Sequence, residues 1–471
     1  MVHRIAGIET EYGCLVSAET GQGNADSWPI RIKNHLFRKM EMGAIDLHYR
    51  DYEEPPGNGG FLLNGGRIYI DMGHLEYASP ECRGLRDLVA SDVAGDTMIQ
   101  KALDALRAGD RVAFIKNNID HQTGATFGCH ENYLTERNVT FTTESLGAFI
   151  AFLATRQLFA GAGRVGRTNP LSFEFESPEP SPVDFQLSQR ADHIVNDIYQ
   201  WVQFNRAIIN ARDEPLADPR RYRRLHLLIG DSNMSPFATA LKVGTTSLVL
   251  TLLERGRLPA NVLLRDAVVA TREISHGGSA QAVVTLADGR TRGALDIQYA
   301  FLAMAREAFA GRDEETDWVL ESWQFTLEAL EALETRPELL LGGVDWVSKR
   351  WLLELFRESE GLEWGDPWLQ SLDLEYHNLN RERGLFYTLS PSKRIAEWNA
   401  SVQYPEALFT PPENTRARGR GKAVAHFLAN PKCSYIINWD SISVDGGTPL
   451  MMSEPLETYE IAVARMLAKL G

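Results

Sequence analysis

Tyr69, Asp71, Glu76 and Glu81 place a phenol and three carboxylates within 13 residues, in the stretch IYIDMGHLEYASPEC (68–82). Residues up to Asp71 alternate apolar and polar, which predicts a β-strand. Residues two apart on a strand share a face, so Arg67, Tyr69 and Asp71 are expected to point the same way. A second acidic strand, GIETEYG (7–13), puts Glu9 and Glu11 on one face. Carboxylates gathered on strand faces repel one another unless cations sit among them. Hard oxygen ligands of this kind suit magnesium, which usually arrives with nucleotide phosphates.

With these motifs the chain resembles the family of Pup ligases and Pup deamidases (depupylases), distant relatives of glutamine synthetase and glutamate–cysteine ligase. Matching segments run through nearly the whole sequence. They include GIETEYG, LNGGRIYID (63–71), EYASPEC (76–82), KNNIDHQTGATFGCHENYL (116–134), RYRRLHLLIGDSNMS (221–235), REISH (272–276) and TRARGRG (415–421). ALDIQ (294–298), VDWVSKR (344–350), LDLEYH (372–377) and PPENTRARGRG (411–421) look like the ligase branch. The deamidase's long insertion has no room here, because about two dozen residues separate the Leu36–Met40 helix from Leu63. Three features depart from the ligase pattern: the five-residue spacing of Asp71 and Glu76, the segment DYEEP (51–55), and Leu216 where both branches often carry His. They widen the expected tag to Pup-like relatives such as the one called UBact.

The resemblance implies a two-step reaction. ATP phosphorylates the side-chain carboxylate of a tag's C-terminal glutamate, and a target-protein lysine then displaces phosphate to form an isopeptide bond. Such chemistry needs cations for the phosphoryl group and a base for an ammonium whose ordinary pKa is ~10.4. By the same resemblance Glu9, Tyr69 and Glu76 are magnesium ligands, Asp71 is the general base, and Arg67, Ser79 and Trp439 contact ATP. Ser79 stands where ligases have Thr. A phenol is an unusual magnesium ligand, and a lone Trp is ordinarily core. The implied fold is α+β: a large glutamine-synthetase-like domain over 1–410, with a curved, mainly antiparallel sheet cradle and packed helices. A small C-terminal domain over 411–471 contributes to the nucleotide site. Competing functions are hydrolysis of the tag's terminal amide or isopeptide bond, ligation of a small carboxylate to an amine, and an inactive tag-binding scaffold.

Other residues carry two readings each. His130-Glu131-Asn132 and His226 are either a further polar shell or metal contacts, or satisfied structural residues; HEN lacks the spacing of a zinc protease. Arg416, Arg418 and Arg420 either reach phosphates or tag carboxylates, or form a solvated basic strand. Arg220, Arg221, Arg223 and Arg224 offer basic surface for an acidic tag, or a solvated edge. Gly161-Ala162-Gly163-Arg164 lacks the ending of a phosphate loop. Residues 55–60 and 176–182 read as loops, the first as an active-site flap or plain surface.

The 471 residues carry 44% hydrophobic side chains and a net charge of −15. That supports a folded protein and argues against nonspecific binding to nucleic acid or anionic membranes. Four cysteines lack CxxC spacing, so no zinc site is expected. There is no signal-peptide pattern and no 18-residue apolar run, so a reducing cytoplasm is expected. Helical periodicity marks 83–107, 143–160, 297–309, 315–334, 345–359 and 454–470. Strands are expected at 4–12, 61–72, 111–117, 223–231 and 280–287.

Overall fold

The computed structural model describes residues 4–17, 25–50, 52, 54–168, 183–200 and 206–469. The expected loop over 176–182, the first three residues, Asp51, Glu53 and the end of the expected helix at 470 lie outside the described residues.

The main sheet is built from β1 (Ala6–Val16), β2 (Gly43–Ile45), β3 (Gly59–Leu62), β4 (Arg67–Asp71), β5 (His74–Ala78), β6 (Val112–Ile115) and β7 (Cys129–Glu136). The hairpin strands β8 (Arg164–Val165) and β9 (Phe185–Gln186) follow, and β10 (Asn196–Tyr199), β11 (Ala207–Asn210) and β12 (Tyr222–Leu227) complete the sheet. Among the described residues, ten strands join in the order β10-β11-β12-β7-β1-β5-β4-β3-β2, with β6 pairing β1. Among the described residues, only β10 and β11 run parallel. The expected mainly antiparallel sheet of an α+β protein is therefore present.

The register sorts the sheet into two faces. Thr10 pairs with Tyr77, Tyr12 with Leu75 and Ile68 with Tyr77, and all are buried in the core. The opposite face carries Glu9, Glu11, Arg67, Tyr69 and Glu76, since Tyr69 pairs with Glu76 and Glu76 with Glu11. The sequence reads one strand over 61–72, but the chain turns at 63–66. Asn64 accepts from the Gly66 amide at 3.0 Å and Gly65 has φ +82°, so an Asn-Gly turn separates β3 from β4.

Helices α1 (Ser27–Arg38), α2 (Leu85–Ala105), α3 (Thr143–Thr155), α4 (Gln157–Ala160) and α5 (Pro236–Glu254) cover the apolar face or the layer behind it. Tyr77 fills the space beside Gly95 of α2, where an added Cβ would meet its ring at 2.4 Å. Gly95→Ala should therefore destabilise the protein by about 1–3 kcal/mol through overpacking. Helix propensity alone would raise stability by up to about 1 kcal/mol. A thermal melt at or above the wild-type midpoint would contradict this packing. Under the sheet, Arg156 pairs with Glu131 and donates to the Thr246 hydroxyl at 2.6 Å, a fully buried charge pair. Glu131 is thus structural.

Helix α5 lies outside the segments that helical periodicity marks. It is 19 residues long and its most apolar 18-residue window has a mean hydropathy of 1.4, enough by length and composition to cross a bilayer. The small polar run Gly244-Thr245-Thr246-Ser247 masks this in the sequence. The 18-residue apolar window of α5 is fully buried inside the protein, packed against α7 (Ala294–Phe309), α8 (Glu314–Glu331) and neighbouring helices, while α6 (Ala267–His276) packs on α3. The hairpin β13 (Val283–Thr285) and β14 (Thr291–Gly293), then α9 (Asp345–Glu360), α10 (Pro367–Tyr376) and α11 (Lys393–Ser401), complete this part.

The last segment holds α12 (Ala417–Ala429), β15 (Tyr435–Ile437), β16 (Ser441–Val444), β17 (Leu450–Met451) and α13 (Glu460–Leu467). Its apolar core includes Val424, Phe427, Ile437 and Ile442, together with Ala44 of β2 and Phe61 of β3. It therefore leans on the edge of the acidic face. Two readings change here. Arg418 and Arg420 lie on a helix that Arg416 caps, not on a strand. The terminal helix begins at Glu460 rather than 454, because Tyr459 takes a left-handed φ of 55°.

Candidate active site

Tyr69 donates its hydroxyl to Glu76 Oε1 at 2.7 Å across the β4–β5 pair. Met72 and Gly73, both at positive φ, make a two-residue turn that pairs Asp71 with His74. This tight turn accounts for the five-residue spacing of Asp71 and Glu76. The shared face of Tyr69 and Asp71 is confirmed, and Asp71, Glu76 and Glu11 bring carboxylate oxygens within 4.8 Å of one another. Glu11 also accepts from the Gly128 amide at 2.9 Å and lies 3.5 Å from His74.

Electrostatics mark this cluster as one that asks for a cation. Burial pushes the Glu76 carboxyl well above its ordinary range, and Glu11, Glu9 and Asp71 push it further. Burial likewise lifts the Tyr69 phenol well above 10, with help from Glu76 and Glu9. Tyr69 is thus a neutral hydrogen-bond donor. The donor set of Glu11, Asp71 and Glu76 is all carboxylate, which fits magnesium.

Glu9 sits one register step away, opposite Ala78 on one side and His130 on the other. It groups with His130 at 3.4 Å and His226 at 3.9 Å rather than with Glu76. Asn132 donates to Glu9 at 3.0 Å. Burial opposes ionisation of Glu9, but the hydrogen bond from His130 and the neighbouring His226 and Arg224 hold it at about 2. His226 Nε2 is buried with no hydrogen-bond partner among the described residues, and burial depresses this imidazole to about 3. A neutral imidazole nitrogen facing a carboxylate is suited to a divalent cation.

Sequence reasoning named Glu9, Tyr69 and Glu76 as ligands and left out Glu11. The signal was present in the Glu9/Glu11 alternation. That His130 and His226 both face Glu9 follows only from the pairing of β7 with β1 and of β12 with β7.

Arg67 lies on the same face, held by Asp46 and Glu54. Beside the carboxylates an open pocket, with ≈ 640 Å³ of empty space including the solvent at its mouth, is lined by Glu9, Ser79, Leu134, Leu216, Arg224 and Trp439, among others. Ser79 lines it, but its hydroxyl accepts from the Ile8 amide at 3.0 Å and donates to the Pro80 carbonyl at 3.2 Å. Trp439 stands half-buried at the wall, edge-on to Phe61 at 5.1 Å. Leu216 adopts φ 47° and its carbonyl accepts from Arg416 at 2.6 Å.

The arginines of α12 and its cap hold this wall rather than reaching outward. Arg416 and Arg420 both grip Glu81, and Arg420 also donates to the Trp439 carbonyl at 2.9 Å. Burial resists ionisation of Glu81, but the two guanidiniums hold it at about 2. Glu81, the fourth side chain of the opening motif, is thereby spent on structure. Arg418 pairs with Glu460 at 2.9 Å. Of the basic group at 220–224, Arg220 and Arg221 pair with Asp218 and Glu454, whereas Arg224 turns toward the pocket. The four cysteines are free thiols.

Comparison with known proteins gives the family and the fold. The family model described as Pup-ligase protein matches residues 4–443. The Pup–protein ligase of a Nocardioides species is 35% identical over 481 residues, covering 99% of each chain. That of Acidimicrobium ferrooxidans is 36% identical over 484 residues, covering 100% of this chain and 99% of its own. A crystal structure of Pup with its ligase PafA superimposes with a TM-score of 0.81 at 30% identity, covering 100% of this chain and 91% of that one. PafA in complex with ADP superimposes with a TM-score of 0.76 at 31% identity, covering 97% and 96%. With the match running end to end and the acidic strands falling on one face of the matching sheet, the chain belongs to the Pup ligase family.

Proposed function

We propose that this protein is an ATP-dependent ligase that joins the C-terminal glutamate side chain of a Pup-like tag to lysines of target proteins. The carrying observation is the single sheet face on which Arg67, Tyr69, Asp71, Glu76, Glu11 and Glu9 stand together, within a fold matched throughout by Pup ligases. Glu76 and Glu11, with Glu9 alongside and Tyr69 orienting Glu76, would hold magnesium, which supplies positive charge to the nucleotide phosphates. The nucleoside enters the pocket beside Trp439, Ser79 and Leu134. Arg67 offers a planar fork to phosphate oxygens. Asp71 takes the proton from the attacking lysine, leaving an amine to displace phosphate from the activated glutamate. Arg224 and the neighbouring basic edge meet the acidic tag. The cytoplasm is the proposed location.

The test is intact-protein mass spectrometry of the protein with Mg-ATP, a lysate and the Pup-like tag of the same genome in Glu-ended and Gln-ended forms. Tag-plus-target masses with ADP release, seen only with the Glu form, are expected. A shift of about one dalton in the Gln form, or release of tag from conjugates, would instead assign the amidohydrolase reaction.

A further inference from the structure

The described residues between β2 and β3 include two acids, Asp46 and Glu54, that both bind Arg67. The Asp46 amide donates to the Gly59 carbonyl at 2.7 Å and the Gly57 amide to the Asp46 carbonyl at 2.6 Å, closing the segment into a strap. From it, Glu54 meets Arg67 with both oxygens: Nη2 donates to Oε2 at 2.6 Å and Nη1 to Oε1 at 3.3 Å. Asp46 adds a bond from Nη2 at 3.1 Å. The two acids differ in setting. The Asp46 side chain is 4% exposed and that of Glu54 27%. Asp46 is a fixed wall, and Glu54 is the group able to leave.

A carboxylate gripping a guanidinium with two oxygens presents the same sign of charge and the same fork geometry as a phosphate. Arg67 cannot give its fork to Glu54 and to a nucleotide phosphate at once. A second cation stays beside the displaced carboxylate, because Arg50 Nε, which donates to Asp46 at 3.2 Å, lies 3.6 Å from Glu54. Arg50 also donates to the Asn438 side chain at 2.6 Å and the Ile437 carbonyl at 2.5 Å, beside Trp439. The strap is thus tied at one end to Arg67 and at the other to the wall of the nucleoside pocket.

We propose that Glu54 occupies the phosphate position on Arg67 and sets nucleotide affinity by having to leave it. The inference rests on the reading of Arg67 as a nucleotide contact. A protein held nine-tenths in the Glu54-bound arrangement binds nucleotide about tenfold more weakly than one without it. Glu54→Gln keeps the length of the side chain but removes the charge that competes.

The experiment is calorimetric titration of the full chain with Mg-ADP for wild type, Glu54→Gln, Arg67→Met and the double variant. Expected are a roughly tenfold lower Kd for Glu54→Gln, a raised Kd for Arg67→Met, and no gain from Glu54→Gln on the Arg67→Met background. Unchanged or weaker binding by Glu54→Gln, with Arg67→Met impaired, would overturn the inference and leave the Arg67 contact standing. Wild-type affinity in Arg67→Met would overturn that contact itself. Hydrogen exchange needs no variant: saturating Mg-ADP should speed exchange over residues 54–58 of the wild type. Slowed or constant exchange there would show the strap staying shut over Arg67 and sink the proposal.

Discussion

Replacing Asp71 by Asn should lower kcat for conjugation by about 10²- to 10⁴-fold, the usual range for loss of a general base. The substitution keeps the shape of the side chain on β4 and removes its ability to take a proton. The lysine nucleophile arrives as an ammonium with a pKa of ~10.4, so without an acceptor it does not attack. Nucleotide affinity should change by less than about threefold, because the phosphate-facing Arg67 and the Trp439 wall are untouched. Asp71 also stands within 4.8 Å of Glu76 and Glu11, so the structure admits a second role as a cation ligand. The two roles separate in one measurement. Loss of turnover with Mg-ADP binding retained assigns the base; parallel loss of both assigns a ligand. A pre-formed tag acyl phosphate supplied to the variant should remain unreacted with lysine only in the first case.

Glu76→Gln should act in opposite directions on function and stability. Its carboxylate is the buried centre of the Glu11–Asp71–Glu76 cluster, so Mg-dependent nucleotide binding should weaken by more than about 100-fold. Without a cation the same carboxylate is a burden. Its pKa stands well above 4.5 in the fold, first through burial and then through repulsion from its acidic neighbours. An acid whose pKa is raised on folding costs stability once the pH exceeds its unfolded value. At pH 7 in EDTA the Gln variant should therefore be more stable than wild type, by up to ~1.4 kcal/mol for each unit of the relieved shift that lies below pH 7. Below pH 4 the advantage should vanish, since the wild-type carboxyl is then protonated in both states. Urea unfolding at the two pH values checks the sign. A destabilised variant at pH 7 would mean that the Tyr69–Glu76 hydrogen bond outweighs the repulsion.

Local patterns legible in the sequence reappear where chemistry is densest. Alternation around Tyr69 and Asp71 predicted a shared strand face, and the register of β4 with β5 confirms it. The long helices are found near their periodic signals, as at Leu85–Ala105 and Asp345–Glu360. Misreadings occur where a single residue's backbone overrides periodicity. Gly65 splits the expected 61–72 strand, Tyr459 delays the last helix, and the arginines after Thr415 wind into α12. Periodicity reports which residues are apolar, not where φ turns positive.

Motif chemistry and alternation within each strand are local properties, so the chain states them directly: acidic strand faces, a magnesium-type donor set, and membership of the ligase-like family. Register is not local. It was the pairing of β1 with β5 and β7 that separated Glu9, beside His130 and His226, from Glu11, beside Glu76 and Asp71. Long-range ion pairing likewise retired Glu81 and Arg420 into the pocket wall and placed Glu54 on Arg67. Residues 13 to 339 positions apart meet there only because burial makes an unpaired charge costly, and which charges are buried is decided by the fold as a whole.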